Sequence, residues 1–290
     1  MFGIEKEIML FFQSLRTDFL NTLFEYITML GEETIVIVLV AIIYFAVDKR
    51  LAYRLFFATA CSMGVNGVVK SIAKVPRPFT KEGITCVRPD TATGYSFPSG
   101  HTQIFSTWSP LLAMQIRKRW FTALICIAVP LVALSRVFLG AHYPSDVVVG
   151  MLLGIGFAFF GNWLYSKVAD KRKLFLAMAA VFAPFIIWFF IGADALYNDI
   201  FKFYGMVCGV VPAMMLEGKY AEMDYNVPFW KKAIRVILAV VLAFAVKEGI
   251  KVLNVFDSIQ ITFLFNTLRY FVLVITVFGI YPIILKKCRL

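Results

Sequence analysis

The chain has only two histidines, His101 and His142, and each lies where a polar stretch meets a hydrophobic segment. Asp146 follows His142 by four residues, close to one helical turn, so its carboxylate could accept the Nδ1 proton and leave Nε2 free to attack. His101 comes directly after Pro-Ser-Gly and is a candidate proton donor. These three residues predict nucleophilic catalysis assisted by a general acid.

Basic residues near both histidines predict an anion site. Lys70, Arg77 and Arg136 supply three positive charges, and Arg77 is presented on stiff backbone between two prolines. The two guanidinium groups offer planar pairs of donors that match phosphate oxygens. The Ser99 hydroxyl and the Gly100 amide stand at a predicted helix N-terminus, where backbone donors and the helix dipole favour an anion. Together these groups predict a phosphate site.

Each of these residues also has a purely structural alternative. Lys70 and Arg136 could be anchors that reach from helix ends to the membrane interface. His101 could belong to ordinary turn chemistry, and Asp146 could be a first-turn carboxylate favoured by the helix dipole. Independent anchors have no reason to gather on one side of a membrane, so the topology decides between the two interpretations.

The composition predicts a membrane protein of the all-α class. Of 290 residues, 60% are hydrophobic and only 16% are charged, which leaves too little polar surface for a water-soluble domain. We predict a helical bundle of about nine transmembrane spans, each near the length that crosses a bilayer. The segments are roughly 32–47, 51–72, 99–116, 120–138, 144–165, 174–192, 200–216, 233–253 and 268–285.

Basic clusters between these segments predict the topology. A net charge of +11 could indicate nucleic acid in a soluble protein, but here the charges alternate with spans, so no nucleic-acid partner is expected. Cytoplasmic loops are rich in Lys and Arg. Placing every cluster inside puts the C-terminus inside and both histidines outside. The clusters are Lys49-Arg50, Arg117-Lys118-Arg119, Lys171-Arg172-Lys173, Lys231-Lys232 and Lys286-Lys287.

Residues 1–30 differ from the spans because apolar residues recur at helical spacing between charged ones, which predicts an amphipathic interfacial helix. The predicted division is therefore residues 1–30, a core over 31–170 that carries the predicted phosphate site, and accessory transmembrane helices over 171–290. Gly150 and Gly154 form a small-residue face suited to close helix packing. The five cysteines are scattered singly and are interpreted as small apolar residues.

The three polar stretches resemble the type 2 phosphatidic acid phosphatase family, membrane lipid phosphatases whose superfamily includes vanadium haloperoxidases. The family pattern is Lys-x6-Arg-Pro, then Pro-Ser-Gly-His, then Ser-Arg-x5-His-x2-Ser-Asp. Here it runs from Lys70 to Arg77-Pro78, through Pro98-Ser99-Gly100-His101, and from Ser135-Arg136 through His142 to Ser145-Asp146, with no departure. Three linked motifs in the right order are far more specific than one short motif. The similarity covers roughly residues 50–165.

The resemblance implies a role for each matching residue. His142 would attack phosphorus and form a phosphohistidine, Asp146 would orient it, and His101 would protonate the leaving lipid oxygen. The remaining motif residues would hold the equatorial oxygens of the transition state. The family needs neither metal nor other cofactor, and none is expected here. The phosphate-binding set is Lys70, Arg77, Ser99, Gly100 and Arg136.

We therefore expect a lipid phosphatase or diphosphatase in a bacterial plasma membrane, with its site facing outward and a polyprenyl diphosphate or glycerophospholipid phosphate as substrate. A phosphotransferase with the same intermediate, and a lipid transporter that only binds headgroups, stay open. The accessory helices could support a homodimer, line a lipid entrance or only stabilise the bundle. The loop residues Lys81, Glu82, Arg88 and Asp90 could contact the headgroup or be solvated.

Overall fold

The computed structural model describes residues 2–290 and confirms the all-α class, because that range contains twelve α-helices and no strand. Short 3-10 turns at Pro78–Thr80, Pro89–Thr91 and Ala195–Tyr197 lie in the connections, and π-helical turns at Ile43–Val47 and Thr276–Ile280 continue two helices. The α-helices are α1 Phe2–Ser14, α2 Asp18–Met29, α3 Glu33–Ile42, α4 Lys49–Ala73, α5 Gly100–Ile116, α6 Arg119–Phe138, α7 Pro144–Lys167, α8 Lys171–Gly192, α9 Asn198–Tyr220, α10 Phe229–Lys251, α11 Ile259–Ile275 and α12 Tyr281–Lys287.

A helix covers each of the nine predicted segments, but only six helices in the described range are long and apolar enough to cross a membrane. A seventh span results if the pair Asp18–Met29 and Glu33–Val47, bent by 49°, counts as one. Helix α5 is short at 17 residues, and α10 carries charged residues near both of its ends. The protein is thus an integral membrane protein, while the count of nine spans stays a prediction.

The N-terminal segment forms two helices where one was predicted. Thr17 has extended backbone, and its Oγ1 accepts a hydrogen bond from the Leu20 amide at 3.2 Å, so a new helix begins there. The neighbouring Arg16 donates to the carbonyl oxygen of Phe138 at 2.9 and 2.7 Å and to Thr85. Helix α1 therefore ends before Thr17, which caps α2, and Arg16 between the two helices is bound to Phe138 and Thr85. The predicted interfacial position of this segment stays a prediction.

Contacts divide the chain into two compact units. The first holds the chain up to Val36 and Cys61–Trp163, and the second holds Ile37–Ala60 and Leu164–Leu290. All eight predicted site residues belong to the first unit. The predicted boundaries at residues 30 and 170 were drawn from sequence composition and motifs, not from contacts, and they stay a prediction.

In the first unit, the start of α5 packs closely against α7 through two glycines. A Cβ added to Gly150 would lie 2.7 Å from the Ser99 carbonyl oxygen, and one added to Gly154 would lie 2.5 Å from that of Gln103. No larger residue fits without displacing backbone. The small-residue face predicted on α7 thus brings the Pro-Ser-Gly-His stretch against the helix that carries Asp146.

Buried polar side chains join α5 to α4. Asn66 donates to the Gln103 side chain at 2.8 Å, and Gln103 donates in turn to the carbonyl and hydroxyl oxygens of Ser62 at 2.8 and 2.9 Å. All three residues are at most 2% exposed. A fully hydrogen-bonded network inside an apolar unit favours one relative position of its helices. It therefore holds the start of α5 beside the end of α4, which carries Lys70.

The second unit is held by small residues and by paired charges. A Cβ on Gly205 of α9 would lie 2.1 Å from the carbonyl oxygen of Thr267 in α11, so these two helices are in backbone contact. The rings of Phe201 and Phe263 stack at 4.1 Å on the same pair of helices. Lys49 forms a 2.7 Å salt bridge with Glu217, which is 3% exposed. The unit thus combines close helix packing with a satisfied buried carboxylate.

Candidate active site

The two groups predicted to form the nucleophilic pair are in contact. His142 lies between α6 and α7, Asp146 lies in the first turn of α7, and both are 1% exposed. His142 Nδ1 is 3.2 Å from Asp146 Oδ2, and His142 Nε2 is 2.7 Å from Arg77 Nη1. A guanidinium only donates, so Nε2 must accept and the imidazole proton is assigned to Nδ1. This neutral tautomer has its lone pair on Nε2.

The surroundings of His142 keep it neutral. Burial lowers the pKa of His142 well below its ordinary value, and the positive charges of Arg77, Arg136 and Lys70 lower it further. Those three cations belong to different helices and connections, yet all act on one imidazole. The imidazole of His142 is therefore neutral, and the three predicted basic residues act on it together.

Asp146 is held by two donors besides the histidine. The Tyr143 amide donates to Oδ2 at 2.9 Å, and the Ser96 hydroxyl donates to the same oxygen. The Ser96 amide is itself fixed by the Val75 carbonyl oxygen at 2.8 Å. Sequence analysis missed Ser96, because it precedes the Pro-Ser-Gly-His stretch and lies 50 residues from Asp146. No spacing within the chain indicates such a contact.

Arg77 is oriented by carbonyl oxygens from two connections. Its Nε donates to Gly94 at 3.0 Å, its Nη1 donates to Ala141 at 3.1 Å, and its Nη2 donates to Thr93. The residue is 6% exposed. Lys70 donates to the Tyr95 carbonyl oxygen at 3.0 Å. The connection between α4 and α5 thus holds both cations in place before any ligand binds.

Arg136 keeps donors that no described group accepts. Its side chain is fully buried, and Nη1 donates to Thr28 Oγ1 of α2 at 2.9 Å. Nε and Nη2 have no hydrogen-bond partner within residues 2–290. Buried polar groups are nearly always paired, and a buried unpaired charge is costly. Two open guanidinium donors beside a nucleophile are the chemistry of an oxyanion site.

The start of α5 lies beside the same cations. A Cβ placed on Gly100 would be 4.0 Å from Lys70 Nζ, and the Ser99 amide donates to the Asp146 carbonyl oxygen at 3.0 Å. Ser99 is the N-cap by position, but its hydroxyl contacts Thr102 Oγ1 at 3.0 Å, and no side-chain cap forms. The first amides of α5 therefore lack a side-chain acceptor and can bind an anion.

His101 is half-buried, and its Nε2 has no hydrogen-bond partner among the described residues. A Cβ on Gly31 would lie 2.4 Å from the His101 carbonyl oxygen, so the segment before α3 presses directly on this residue. Gly31 is a second position that sequence analysis missed, because it lies outside all three motifs.

The four loop residues considered as headgroup contacts separate into two kinds. Lys81, Glu82 and Asp90 are exposed. Arg88 is half-buried and forms a 2.9 Å salt bridge with Glu32, the residue after Gly31. Only Arg88 is therefore held near the half-buried His101. Its salt bridge to Glu32, the neighbour of Gly31, was not predictable from the sequence.

Comparison with known proteins gives matches over most of the chain. A model described as the PAP2 superfamily matches residues 51–173, and one described as PAP2 superfamily phosphatase, transmembrane extension, matches residues 201–290. The resemblance inferred from the motifs ended near residue 165. The second match extends the family similarity to the accessory helices.

Several curated proteins are similar in sequence. The undecaprenyl-diphosphatase of Sulfolobus acidocaldarius is 30% identical over 53% of this chain and 74% of its own length. Phosphatidylglycerophosphatase B of Bacillus subtilis is 30% identical over 55% and 82%. A crystal structure of a transmembrane PAP2 type phosphatidylglycerolphosphate phosphatase from Bacillus subtilis matches with TM-score 0.48 and 22% identity, over 58% of this chain and 87% of that one. These sequence matches show that the chain belongs to the PAP2 superfamily, as a membrane-embedded phosphatase.

Proposed function

We propose that this protein is a lipid phosphate phosphatase or diphosphatase that forms a phosphohistidine at His142. The contact series Arg77, His142 and Asp146, next to the open donors of Arg136, is the observation that carries the proposal. It combines an oriented neutral nucleophile with a site for the charge that develops on the transferred phosphoryl group. A pocket that only binds headgroups has no need of the oriented nucleophile.

In the first step, the Nε2 lone pair of His142 attacks phosphorus and the bond from phosphorus to the leaving oxygen breaks. In the structure, Arg77 Nη1 donates a hydrogen bond to this lone pair. When the substrate binds, a phosphoryl oxygen accepts the hydrogen bond of Arg77 instead, which frees Nε2 for attack. The Nδ1 proton stays on the ring, where Asp146 stabilises the positive charge that forms. Lys70, Arg136 and the first amides of α5 bind the phosphoryl oxygens.

His101 serves the leaving group and then the water. In its protonated form His101 donates a proton to the oxygen that departs with the lipid and becomes neutral. The neutral imidazole then accepts a proton from the water that attacks the phosphohistidine, which restores the protonated form. The absence of a described partner for Nε2 leaves that atom free for both transfers. The second step releases inorganic phosphate and restores the neutral His142.

The proposed substrate is a lipid whose phosphate lies in the headgroup layer. The similarity to an undecaprenyl-diphosphatase and to a phosphatidylglycerophosphatase supports this class. We propose that Arg88 binds negative charge of the headgroup other than the transferred phosphoryl group, because its salt bridge with Glu32 holds it near His101. We further propose a bacterial plasma membrane with the site outward and the C-terminus cytoplasmic, from the alternation of basic clusters.

Purified protein in EDTA, tested against a polyprenyl phosphate, a polyprenyl diphosphate, phosphatidic acid and phosphatidylglycerophosphate, tests the proposal by the release of inorganic phosphate. We expect release from at least one lipid, and a loss of roughly 10⁴-fold or more in His142→Ala. The exposed Lys251→Gln serves as the matched control. Turnover that survives His142→Ala in folded protein contradicts the phosphohistidine. If the phosphoryl group of a labelled substrate is transferred only to a second acceptor molecule and not to water, the protein is a transferase instead.

A further inference from the structure

A groove lies at the opposite end of α5 from the candidate active site. It has a volume of about 700 Å³ and is bounded by the last turns of α5, the first half of α6 and the middle of α7, all in the first unit. His101 and Arg117 mark the two ends of α5 and are separated by roughly 24 Å along the helix axis. The groove is therefore a separate site and not an extension of the phosphate pocket.

The walls of the groove are apolar and partly made of small residues. Pro110 and Pro130 stand inside helices and line the space together with Ala113, so short side chains occupy positions where long ones would fill it. The larger lining residues include Met114, Ile125, Val129, Met151, Ile155 and Phe159. In a membrane-embedded protein, such a surface is suited to an acyl chain.

Three cations stand at one end of this apolar space. Arg117, Lys118 and Arg119 line the groove, are exposed, and form the tight turn between α5 and α6, where Arg117 has left-handed backbone with φ of 56°. None of the three forms an ion pair with a described residue, and no carboxylate from residues 2–290 lines the groove. The positive charge at this end is therefore not neutralised by the protein.

We propose that the groove binds an anionic phospholipid, with an acyl chain along the apolar walls and the phosphate headgroup at Arg117, Lys118 and Arg119. The charge pattern selects this occupant, because basic residues near a membrane surface favour anionic lipids by a term that a zwitterionic headgroup does not provide. A second copy of the chain would have to bring its own carboxylates to the same turn. The site is independent of catalysis and stands even if the proposed function is wrong.

Two native cysteines allow lipid binding to be measured by alkylation, so no cysteine has to be introduced. Cys126 lines the groove and is exposed, whereas Cys288 is exposed in the second unit and serves as the internal control. Delipidated protein in detergent is treated with N-ethylmaleimide while phosphatidylglycerol or phosphatidylcholine is added, and alkylation of each cysteine is followed by peptide mass spectrometry. We expect phosphatidylglycerol to slow alkylation of Cys126 several-fold and to leave Cys288 unchanged.

Removing the basic turn sharpens the test. Arg117→Gln, Lys118→Gln and Arg119→Gln together are expected to lower the affinity for phosphatidylglycerol by roughly a hundredfold, because three cations contribute about 1 kcal/mol each. The matched triple variant Lys286→Gln, Lys287→Gln and Arg289→Gln removes the same charge from exposed residues around Cys288, outside the groove, and should keep the protection of Cys126. Equal protection by phosphatidylcholine, equal protection of Cys288, or full protection in the first triple variant would each overturn the proposal.

Discussion

Two regions of this protein bury charge, and they do so in different ways. In the second unit, Lys49 and Glu217 form a 2.7 Å salt bridge in which each charge has its partner. In the candidate active site, Arg136 is fully buried with two donors unpartnered among the described residues, and His101 Nε2 is likewise open. Because an unpaired buried charge costs free energy, such a group persists where a ligand completes it. The salt bridge of the second unit is complete within the protein, whereas we propose that a bound anion completes the open donors of the candidate active site.

The paired region extends around the salt bridge. The Lys49 amide donates to the Tyr225 hydroxyl at 3.0 Å, and that hydroxyl donates to the Tyr44 carbonyl oxygen at 2.8 Å. Arg235 donates through Nη1 and Nη2 to the carbonyl oxygens of Asp224 and Leu290 at 2.6 and 2.8 Å, and only its Nε lacks a partner among the described residues. These contacts tie connections and a chain end to the helices. We therefore expect changes here to lower stability, while changes at the candidate active site lower activity.

After His142, the largest effect on activity is expected from Asp146. Asp146→Ala removes the group that orients His142 and stabilises its positive charge, and we expect kcat to fall by roughly 10⁴-fold. Asp146→Asn keeps an acceptor oxygen without the charge and should lose less. Single-turnover release of phosphate measures both variants, with monodispersity as the folding control. Equal activity of Asp146→Ala and the unchanged protein would remove Asp146 from the mechanism.

Arg136 and Arg235 are both buried, one in each of the two regions, so the same substitution at each tests whether the regions differ in role. Arg136→Gln should lower kcat by about 10²- to 10³-fold, as for other lost oxyanion donors, and leave the melting temperature unchanged or higher. Arg235→Gln removes donors that two carbonyl oxygens use, so it should lower the melting temperature and leave kcat intact. A reversed pattern in phosphate release and thermal unfolding would refute the distinction.

Glu217 should affect stability alone. Glu217→Ala leaves Lys49 without its partner, and we expect a loss of about 2–3 kcal/mol in the free energy of unfolding, at the low end for buried pairs because the Lys49 side chain is 26% exposed. Glu217→Gln keeps a hydrogen bond and should lose less. Denaturant unfolding in detergent gives the free energy, and turnover at a permissive temperature gives kcat. A fall in kcat without a change in stability would contradict this assignment.

The smallest effect expected is a shift in pH dependence. Because burial and then Arg77 lower the pKa of His142, the nucleophile stays neutral below the ordinary value near 6.5, and the acidic limb of kcat should lie below that pH. Arg77→Gln removes the nearest positive charge, so the limb should move upward toward the ordinary value. As the pH falls below about 6.5, His142 binds a proton in the unfolded chain before it does so in the folded protein. The contribution of neutral His142 to the free energy of unfolding should therefore be complete above that pH and be lost as the pH falls. A limb that Arg77→Gln does not move would contradict the assigned contact.

Local chemistry explains why much of the site was predictable. The apolar runs needed no tertiary information, because their length and composition alone mark helices that cross a bilayer. The four-residue spacing of His142 and Asp146 operates within one turn, so their contact follows from the chain itself. Thr17 was harder, since a capping residue ends one helix and begins another without interrupting the apolar periodicity.

The sequence by itself determined the membrane class, the candidate catalytic residues and the ends of helices at which they stand, since these depend on composition and on spacing within a turn or two. Only the tertiary structure decided that Ser96 binds Asp146, that Thr28 takes one donor of Arg136, and that Gly31 presses on His101. The two hydrogen bonds among these contacts join residues 50 and 108 positions apart in the sequence. Packing between helices sets such distances, and no local pattern in a single chain records it.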